Sequence, residues 1–336
     1  MIDLRSDTVT RPTPAMLQAM MQAPTGDDVF REDPSINQLE AKCAALFNME
    51  AALFCPSGTQ TNQIAIKCHT RPGDEVICEA EAHIYQYEAG GIAFNSGASV
   101  RLIPGDRGRI NAAQVKAAVN PDDVHKAPSR LVCIENTSNR GGGSCYSFEE
   151  LEKIQSVCKE HRLALHLDGA RLFNAMIAKN ETPAQYGNLF NSISICFSKS
   201  LGCPVGSVLL GTQAFIDQAR RVRKILGGGM RQAGYLAAAA IFALDHHVER
   251  LVIDHQHAEK IAGALDTCRF VQTVLPVTTN IIIFETKAIA AAELVAQLKM
   301  QGILCNAVGP DRIRFVLHLD ITPQMVATVI QTIQSL

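Results

Sequence analysis

Short apolar runs recur along the middle of the chain and predict buried β-strands. Polar-faced segments with apolar residues at helical spacing separate them, and this alternation favours a mostly parallel sheet with helices on both faces, an α/β fold. The predicted strands are 75–78, 100–103, 131–135, 163–168, 192–198 and 205–210, and the predicted helices between or before them are 34–48, 60–69 and 148–161.

The hydrophobic pattern changes in the last third of the chain. A helical pattern over 215–226 stops at three consecutive glycines, and an alanine-rich stretch then predicts one long helix from about 233 to 265. Short strands and helices follow, at 280–284, 290–301, 313–319 and 323–335. We therefore predict a large domain over 1–250 and a smaller α+β domain over 251–336.

Composition narrows the class of protein. Of the 336 residues, 47% are hydrophobic and 19% charged, which is ordinary for a soluble enzyme, and the formal net charge is −2. Such a chain lacks the basic field that attracts nucleic acid or membrane surfaces, and it has no signal-peptide pattern. The 11 cysteines form no CxxC pair, so we expect reduced, buried thiols in a cytoplasmic protein and no metal site.

An aspartate and a lysine carry the most specific chemistry. Asp168 ends one predicted strand, and Lys199 follows the next strand 31 residues later. A lysine amine can condense with the aldehyde of pyridoxal 5'-phosphate, and an aspartate keeps the pyridine nitrogen of that cofactor protonated. The pair therefore predicts a pyridoxal phosphate site.

Two further features fit such a site, and each also has an ordinary structural explanation. Gly58 and Thr59 open a predicted helix after a strand, where backbone N–H groups bind phosphate, although helix starts often have this composition. His83 follows the strand at 75–78 and can stack on the cofactor ring or move protons, unless it is a core histidine. His125, in the loop-like stretch 121–129, is a further proton-transfer residue by type.

Three arginines are predicted to bind anions. Arg171 follows Asp168, Arg231 follows the triple glycine, and Arg314 lies in an otherwise apolar strand, where a charge needs a partner. A guanidinium binds an amino-acid carboxylate through two hydrogen bonds. A structural ion pair remains the alternative for each of them.

The chain resembles the low-specificity L-threonine aldolases from residue 1 to about residue 320. The motifs that carry this resemblance are Met1-Ile2-Asp3-Leu4-Arg5-Ser6-Asp7-Thr8-Val9-Thr10, Gly26-Asp27-Asp28-Val29, Pro56-Ser57-Gly58-Thr59-Gln60-Thr61-Asn62, Glu88-Ala89-Gly90-Gly91, Leu167-Asp168-Gly169-Ala170-Arg171, Ser198-Lys199 and Gly227-Gly228-Gly229-Met230-Arg231-Gln232.

The resemblance implies a fold-type-I pyridoxal phosphate enzyme. Its large domain would hold a mostly parallel seven-stranded sheet, and its chains would form a homotetramer with active sites shared between chains. It implies retro-aldol cleavage of threonine and allo-threonine to glycine and acetaldehyde. The implied cofactor contacts are Gly58, Thr59, His83, Asp168, Arg171, Lys199, Lys224 and Arg231, and the implied substrate contacts are Ser6, Tyr87, Arg171 and Arg314.

Three residues depart from the family pattern. Phe30 and Arg31 stand where the family often has tyrosine and glycine, and Ser138 stands where it often has histidine. The base that takes the substrate proton stays open between His83, His125 and a bound water. A β-eliminating lyase or an aminotransferase on the same scaffold is the alternative enzyme, and a non-catalytic protein that keeps the fold is a third reading.

Overall fold

The computed structural model describes residues 1–336 and contains 13 strands and 13 α-helices. The strands are β1 (Ile2–Asp3), β2 (Ala51–Cys55), β3 (Glu75–Glu79), β4 (Ser99–Ile103), β5 (Ser129–Glu135), β6 (Ala164–Gly169), β7 (Ser192–Cys196), β8 (Ser207–Gly211), β9 (Val271–Val274), β10 (Ile281–Thr286), β11 (Ile303–Leu304), β12 (Asn306–Ala307) and β13 (Arg312–Val316). The helices are α1 (Pro14–Met21), α2 (Pro34–Phe47), α3 (Gly58–His69), α4 (His83–Gln86), α5 (Ala112–Ala118), α6 (Phe148–Glu160), α7 (Leu172–Lys179), α8 (Pro183–Leu189), α9 (Gln213–Ile225), α10 (Gly234–His246), α11 (Leu251–Leu265), α12 (Ala291–Met300) and α13 (Pro323–Ser335).

Seven strands form the central sheet, in the order β2-β8-β7-β6-β5-β3-β4. Five of them, from β7 to β4, run parallel, and β8 runs antiparallel to both of its neighbours. Strands β3, β5, β7 and β8 are buried along nearly their whole length, as expected of a sheet covered on both faces. The predicted α/β architecture is confirmed.

The register of the parallel strands places their carboxyl ends at one edge. Asp168 of β6 pairs with Ser194 of β7, and Glu135 of β5 pairs with Asp168. Lys199 follows β7 by three residues, so it emerges at the same edge as Asp168. Ligands of open α/β sheets bind at this edge.

The long helix predicted over 233–265 is two helices. Helix α10 ends at His246 and α11 begins at Leu251. The turn between them contains neither Gly nor Pro, so no breaker residue marks it in the sequence. His247 in that turn donates from Nδ1 to the carbonyl of Leu201 at 2.7 Å, a tertiary contact that holds the turn.

The C-terminal part has a sheet and a core of its own. Strands β12-β13-β10-β9 form an antiparallel sheet, and β1 pairs in parallel with β11. The second core draws on residues from Ala258 to Ile333 together with Ile2 and Leu4, so the N-terminal strand packs with this part of the chain. The division at residue 250 is retained as a proposal. No helix combines the length and apolar character needed to cross a membrane.

Candidate active site

Asp168 is a buried carboxylate with no cationic partner in the chain. Its Oδ2 accepts from Nδ2 of Asn62 at 2.8 Å, and its Oδ1 accepts from the backbone N–H of Ala170 at 3.1 Å. Buried arginines pair with other carboxylates, Arg171 with Asp7 and Arg223 with Asp28, whereas Asp168 accepts hydrogen bonds only from neutral donors. A buried carboxylate favours a positive charge beside it, and a protonated pyridine nitrogen supplies one.

His83 lies close to Asp168 at the start of α4. Its imidazole is partly exposed, and Nδ1 faces Oε1 of the buried Glu88 at 3.1 Å. Burial lowers the pKa of His83, but the hydrogen bond that Nδ1 donates to Glu88 and the charges of Asp168 and Glu88 outweigh burial and raise the pKa. The charge of Lys199 acts on the same ring in the opposite direction and lowers the pKa of His83.

Glu88 also belongs to the site. The sequence analysis named it only as part of the motif Glu88-Ala89-Gly90-Gly91 and predicted no role for it. Its carboxylate accepts from Asn62 Nδ2 at 3.0 Å and from Gln63 Nε2 at 2.7 Å, in addition to the contact with His83. Ligand atoms of His83, Glu88 and Asp168 all lie within 4.8 Å of one another, a spacing that also suits a metal ion. Each of these atoms already has a hydrogen-bond partner, so the trio is a hydrogen-bonded cluster.

The N-terminus of α3 forms an anion cradle. Ser57 caps the helix by accepting from the N–H of Gln60 at 3.2 Å, and the N–H groups of Gly58 and Thr59 precede the first helical hydrogen bond. The hydroxyl of Ser207 is buried, has no partner, and lies 3.6 Å from the position that a Cβ on Gly58 would occupy. Two free N–H groups beside an unpartnered hydroxyl suit a phosphate.

These observations fit pyridoxal phosphate. Asp168 suits the ring nitrogen, the N-terminus of α3 suits the phosphate, and Lys199, at the same sheet edge as Asp168, offers the amine. The side chain of Lys199 forms no ion pair, and its carbonyl accepts from Oγ1 of Thr10 at 2.9 Å, which ties the loop after β7 to the N-terminal segment. These residues therefore provide a partner for the ring nitrogen, the phosphate and the aldehyde of the cofactor.

Arg171 and Arg314 differ in their partners. Arg171 is buried and donates two hydrogen bonds to Asp7, at 2.7 and 2.8 Å. It is therefore engaged in a structural ion pair through Nε and Nη2, and the direct contacts of Arg171 with substrate and cofactor stay a prediction. Arg314 has no carboxylate partner: it donates to Oδ1 of Asn139 at 2.6 Å and to the carbonyl of Arg5 at 3.0 Å, and its buried Nε has no partner.

An unpaired, partly buried guanidinium is unusual, and the environment of Arg314 makes it costly. Burial and the nearby charge of Arg171 lower the pKa of Arg314 to about 10. A substrate carboxylate would supply the missing counter-charge. Ser6, next to the Arg5 carbonyl that Arg314 contacts, accepts from the N–H of Thr8 at 3.2 Å, and Tyr87 is exposed with its ring 5.7 Å from that of His83.

Three predicted residues lie outside this cluster. Lys224 is exposed on a basic cavity of about 540 Å³, and Arg231 is mostly exposed and bonded to Asp27 at 2.7 Å. His125 is 84% exposed and bonded to Asp123 on the loop before β5. That loop leads into the amino end of β5, so within one chain His125 lies at the opposite edge of the sheet from Lys199.

The structure also explains the departures from the family pattern. Arg31 has a left-handed backbone with φ of 62°, a conformation that glycine adopts without strain. Phe30 beside it is exposed. Ser138 is buried, and its hydroxyl accepts from the N–H of Gly141 at 3.2 Å and closely approaches Gly108. A histidine at 138 would therefore require this loop to move.

Comparison with known proteins gives the family. The family model for beta-eliminating lyases matches residues 3–289. Low-specificity L-threonine aldolase 1 of Arabidopsis thaliana is 42% identical over 329 residues, covering 96% of this chain and 92% of the plant protein. The low specificity L-threonine aldolase of Escherichia coli K12 is 42% identical over 332 residues, covering 98% of this chain and 97% of the bacterial one.

Solved structures show the same fold. A threonine aldolase of Leishmania major superposes with a TM-score of 0.89 at 24% identity, covering 100% of this chain and 99% of that chain. A putative aromatic amino acid beta-eliminating lyase/threonine aldolase of Exiguobacterium superposes with a TM-score of 0.81 at 22% identity. The match covers 98% of this chain and 97% of that chain. With 42% identity over nearly its full length, the chain belongs to the beta-eliminating lyase family and, within it, to the low-specificity L-threonine aldolases.

Proposed function

We propose that this chain is a pyridoxal phosphate-dependent aldolase that cleaves L-threonine and L-allo-threonine to glycine and acetaldehyde. One observation carries the proposal: a buried carboxylate without a cation, Asp168, lies at the same sheet edge as the free amine of Lys199 and the unpaired guanidinium of Arg314. Family membership supports the same reaction, since the relatives are named for it.

Each residue of the site has a distinct task. When bound, pyridoxal phosphate accepts the electron pair released as the Cα–Cβ bond breaks. Lys199 attaches the cofactor, Asp168 keeps the proton on its ring nitrogen, and the N-terminus of α3 binds its phosphate. Arg314 binds the substrate carboxylate, which orients the Cα–Cβ bond for cleavage.

His83 is the proposed base for the β-hydroxyl proton. Glu88 holds Nδ1, so Nε2 is the ring nitrogen left for the substrate. The hydrogen bond to Glu88 and the charges of Glu88 and Asp168 outweigh burial and raise the pKa of His83 above its ordinary value, so the ring takes up a proton more readily, as a base must. His125 from a second chain or a water molecule are the alternatives.

The reaction is tested with purified protein, threonine and Lys199→Ala. The proposal expects a near-visible absorbance band of bound pyridoxal phosphate, acetaldehyde as product, and loss of both in the variant. Turnover retained by Lys199→Ala would contradict it. Release of 2-oxobutanoate in place of acetaldehyde would instead support a β-eliminating lyase.

We further propose a homotetramer with active sites shared between chains. Large apolar side chains are exposed on the surface: Ile225, next to the cavity residue Lys224, is 81% exposed, and Phe94 is 89% exposed. Exposed patches of this kind usually mark protein interfaces. Lys224 and Arg231 would then reach the phosphate of a second chain.

Mixed assemblies test this arrangement. Lys199→Ala and Arg231→Ala chains, each inactive alone, are expected to regain part of the activity when refolded together, because some sites then combine both intact residues. Sedimentation should give the mass of four 36.4-kDa chains. A monomer in sedimentation, or no recovery of activity in the mixture, would contradict the sharing of active sites between chains.

All eleven cysteines are free, which supports a reducing cytoplasmic location that cell fractionation can test.

A further inference from the structure

A row of hydrogen-bonded polar side chains runs from Asp168, on β6, to His69, at the C-terminal end of α3. It passes through Asn62, His166 and Ser192, and no step of the proposed reaction uses it. We propose that His166 is a positioning residue, which fixes the amide of Asn62 so that Asn62 holds Asp168 and Glu88 in place around the cofactor. This inference rests on the proposed function and concerns how the carboxylates are held.

Asn62 bridges the two acids. Its Nδ2 donates to Asp168 Oδ2 at 2.8 Å and to Glu88 Oε1 at 3.0 Å. A reversed amide would point its oxygen at both carboxylates, which repel it and have no proton to donate. Both N–H groups therefore face the acids, and Oδ1 of Asn62 must accept from the opposite side.

His166 is the group on that opposite side. Its Nε2 lies 3.1 Å from Oδ1 of Asn62, and its ring is fully buried. Burial lowers the pKa of His166 to about 4, so the ring is neutral at neutral pH and carries one proton. Because Asn62 can only accept there, that proton sits on Nε2 and Nδ1 of His166 is an acceptor.

The same logic continues to His69. Ser192 lies 2.8 Å from Nδ1 of His166, so its hydroxyl donates to that nitrogen. Its oxygen then accepts from Nε2 of His69, also at 2.8 Å, and the His69 ring stacks on Phe215 with centroids 4.6 Å apart. Every donor in the chain points toward Asp168, and no alternative arrangement satisfies all five groups.

This chain positions groups and does not conduct protons. An amide nitrogen does not exchange its proton through its own oxygen on the path from His166 to Asp168, so Asn62 interrupts any relay. The hydrogen-bonded row fixes the direction of the two N–H groups of Asn62. These two donors lie between the buried carboxylates of Asp168 and Glu88, which would otherwise repel each other. If the Asn62 amide is no longer held in one orientation, Asp168 should become less ordered and should bind the pyridine nitrogen of the cofactor more weakly.

The test measures the affinity of pyridoxal phosphate and its absorbance spectrum in four proteins. These are the wild type, His166→Leu, Asn62→Leu and the double variant. His166→Leu removes the donor to Asn62 and should raise the dissociation constant of the cofactor roughly tenfold, the effect of losing support for a buried, charge-assisted hydrogen bond. Asn62→Leu removes both donors and should raise it at least as much.

The double variant separates positioning from general destabilisation. If His166 acts through Asn62, then His166→Leu adds nothing in the Asn62→Leu background, whereas independent effects add. His166→Gln, which keeps an N–H near the position of Nε2, should recover most of the affinity. Tyr146→Phe is the control: it removes a buried hydroxyl that accepts from the N–H of Ile110 and makes no hydrogen bond to Asn62, His166 or Asp168, so it should leave cofactor affinity unchanged.

The outcomes also separate this inference from the proposed function. A wild type that binds no pyridoxal phosphate overturns the function. A wild type that binds it, with His166→Leu binding equally well or with additive losses in the double variant, overturns the positioning role of His166. If His166→Leu does not fold, Ser192→Ala replaces it, since loss of the Ser192 hydroxyl frees His166 to lose its fixed tautomer and should weaken binding to a smaller degree.

Discussion

At the scale of single residues, two arginines that were both predicted to bind anions have different partners in the structure. Arg171 is neutralised by Asp7 in a buried, doubly hydrogen-bonded pair, whereas Arg314 contacts only an amide oxygen and a carbonyl. The sequence predicted anion binding for both, with a structural ion pair as the alternative for each. The fold gives Arg171 a carboxylate within the chain and gives Arg314 none, and in the proposed function the substrate carboxylate is the partner of Arg314.

Substitutions at the two positions should therefore affect different quantities. Arg171→Leu leaves Asp7 buried and unpaired, so the free energy of unfolding should fall by about 3–5 kcal/mol. Arg314→Lys loses the two-pronged geometry for a carboxylate and should raise KM for threonine about tenfold while changing stability by less than about 1 kcal/mol. Urea unfolding and steady-state kinetics measure both. A stable Arg171→Leu variant with a raised KM would reverse the assignment.

Glu88 gives a prediction about pH. Its hydrogen bond and charge raise the pKa of His83 against the effect of burial. In Glu88→Gln the charge is gone and burial remains, so the pKa of His83 should fall. If neutral His83 is the base, the acid limb of the kcat/KM profile should move to lower pH.

Glu79→Gln is the matched control for this experiment. Glu79 is also a buried carboxylate, but it accepts from the N–H groups of Glu81 and Gly105 and has no contact with His83. Its variant should keep the wild-type acid limb. If the acid limb of the kcat/KM profile does not move in Glu88→Gln, then Glu88 does not set the pKa of His83 during catalysis.

At the scale of elements, glycines decide how closely helices approach. Gly187 of α8 lies against the C-terminus of α2, and a Cβ there would sit 1.7 Å from the carbonyl oxygen of Phe47. Gly263 of α11 faces open space, with nothing within 4 Å of the corresponding position. The same substitution should therefore have opposite signs at the two positions.

Gly187→Ala forces α8 away from α2 and should destabilise the protein by about 3 kcal/mol, the upper end for an overpacked contact. Gly263→Ala should stabilise it by about 0.5–1 kcal/mol, because alanine favours the helix and restricts the unfolded chain. Thermal or urea unfolding of both variants gives the signs directly. Equal effects at the two positions would mean that the close approach of α8 is not maintained.

Element boundaries show where sequence patterns stop being informative. The strands and helices that were predicted lie within a few residues of their positions in the structure, because apolar periodicity and helix caps are local signals. Short elements such as β1, β11, β12, α4 and α8 were not predicted. The break between α10 and α11 was missed because the turn holds no Gly or Pro and is fixed by a contact with Leu201, far away in the sequence.

At the scale of the whole molecule, Asp7 joins the N-terminal segment to both cores. It accepts from Arg171 and Ser200, with Asn280 of the C-terminal part at 3.4 Å. Burial raises the pKa of Asp7, but the charges of Arg171 and Lys199 and the hydrogen bonds outweigh it and hold the pKa well below its usual range.

The depressed pKa predicts acid sensitivity with a definite sign. The contribution of Asp7 to stability is complete above its unfolded pKa of about 3.9 and is lost as pH falls below that value. Asp7→Asn should be less stable than the wild type at neutral pH, since Arg171 is left without its counter-charge, and the gap should narrow below about pH 4. Urea unfolding at a series of pH values tests this, and a gap that widens in acid would contradict it.

The sequence by itself determined the alternation of strands and helices, the placement of Asp168 and Lys199 at strand ends, and the cradle at Gly58. These follow from local periodicity and from the rule that parallel strands end at one edge. Only the tertiary structure decided which arginine lacks a carboxylate partner, that His125 lies away from Lys199 within one chain, and that Asn62 is hydrogen-bonded to Asp168, Glu88 and His166. Those contacts join residues far apart in sequence, and nothing local to either partner specifies the other.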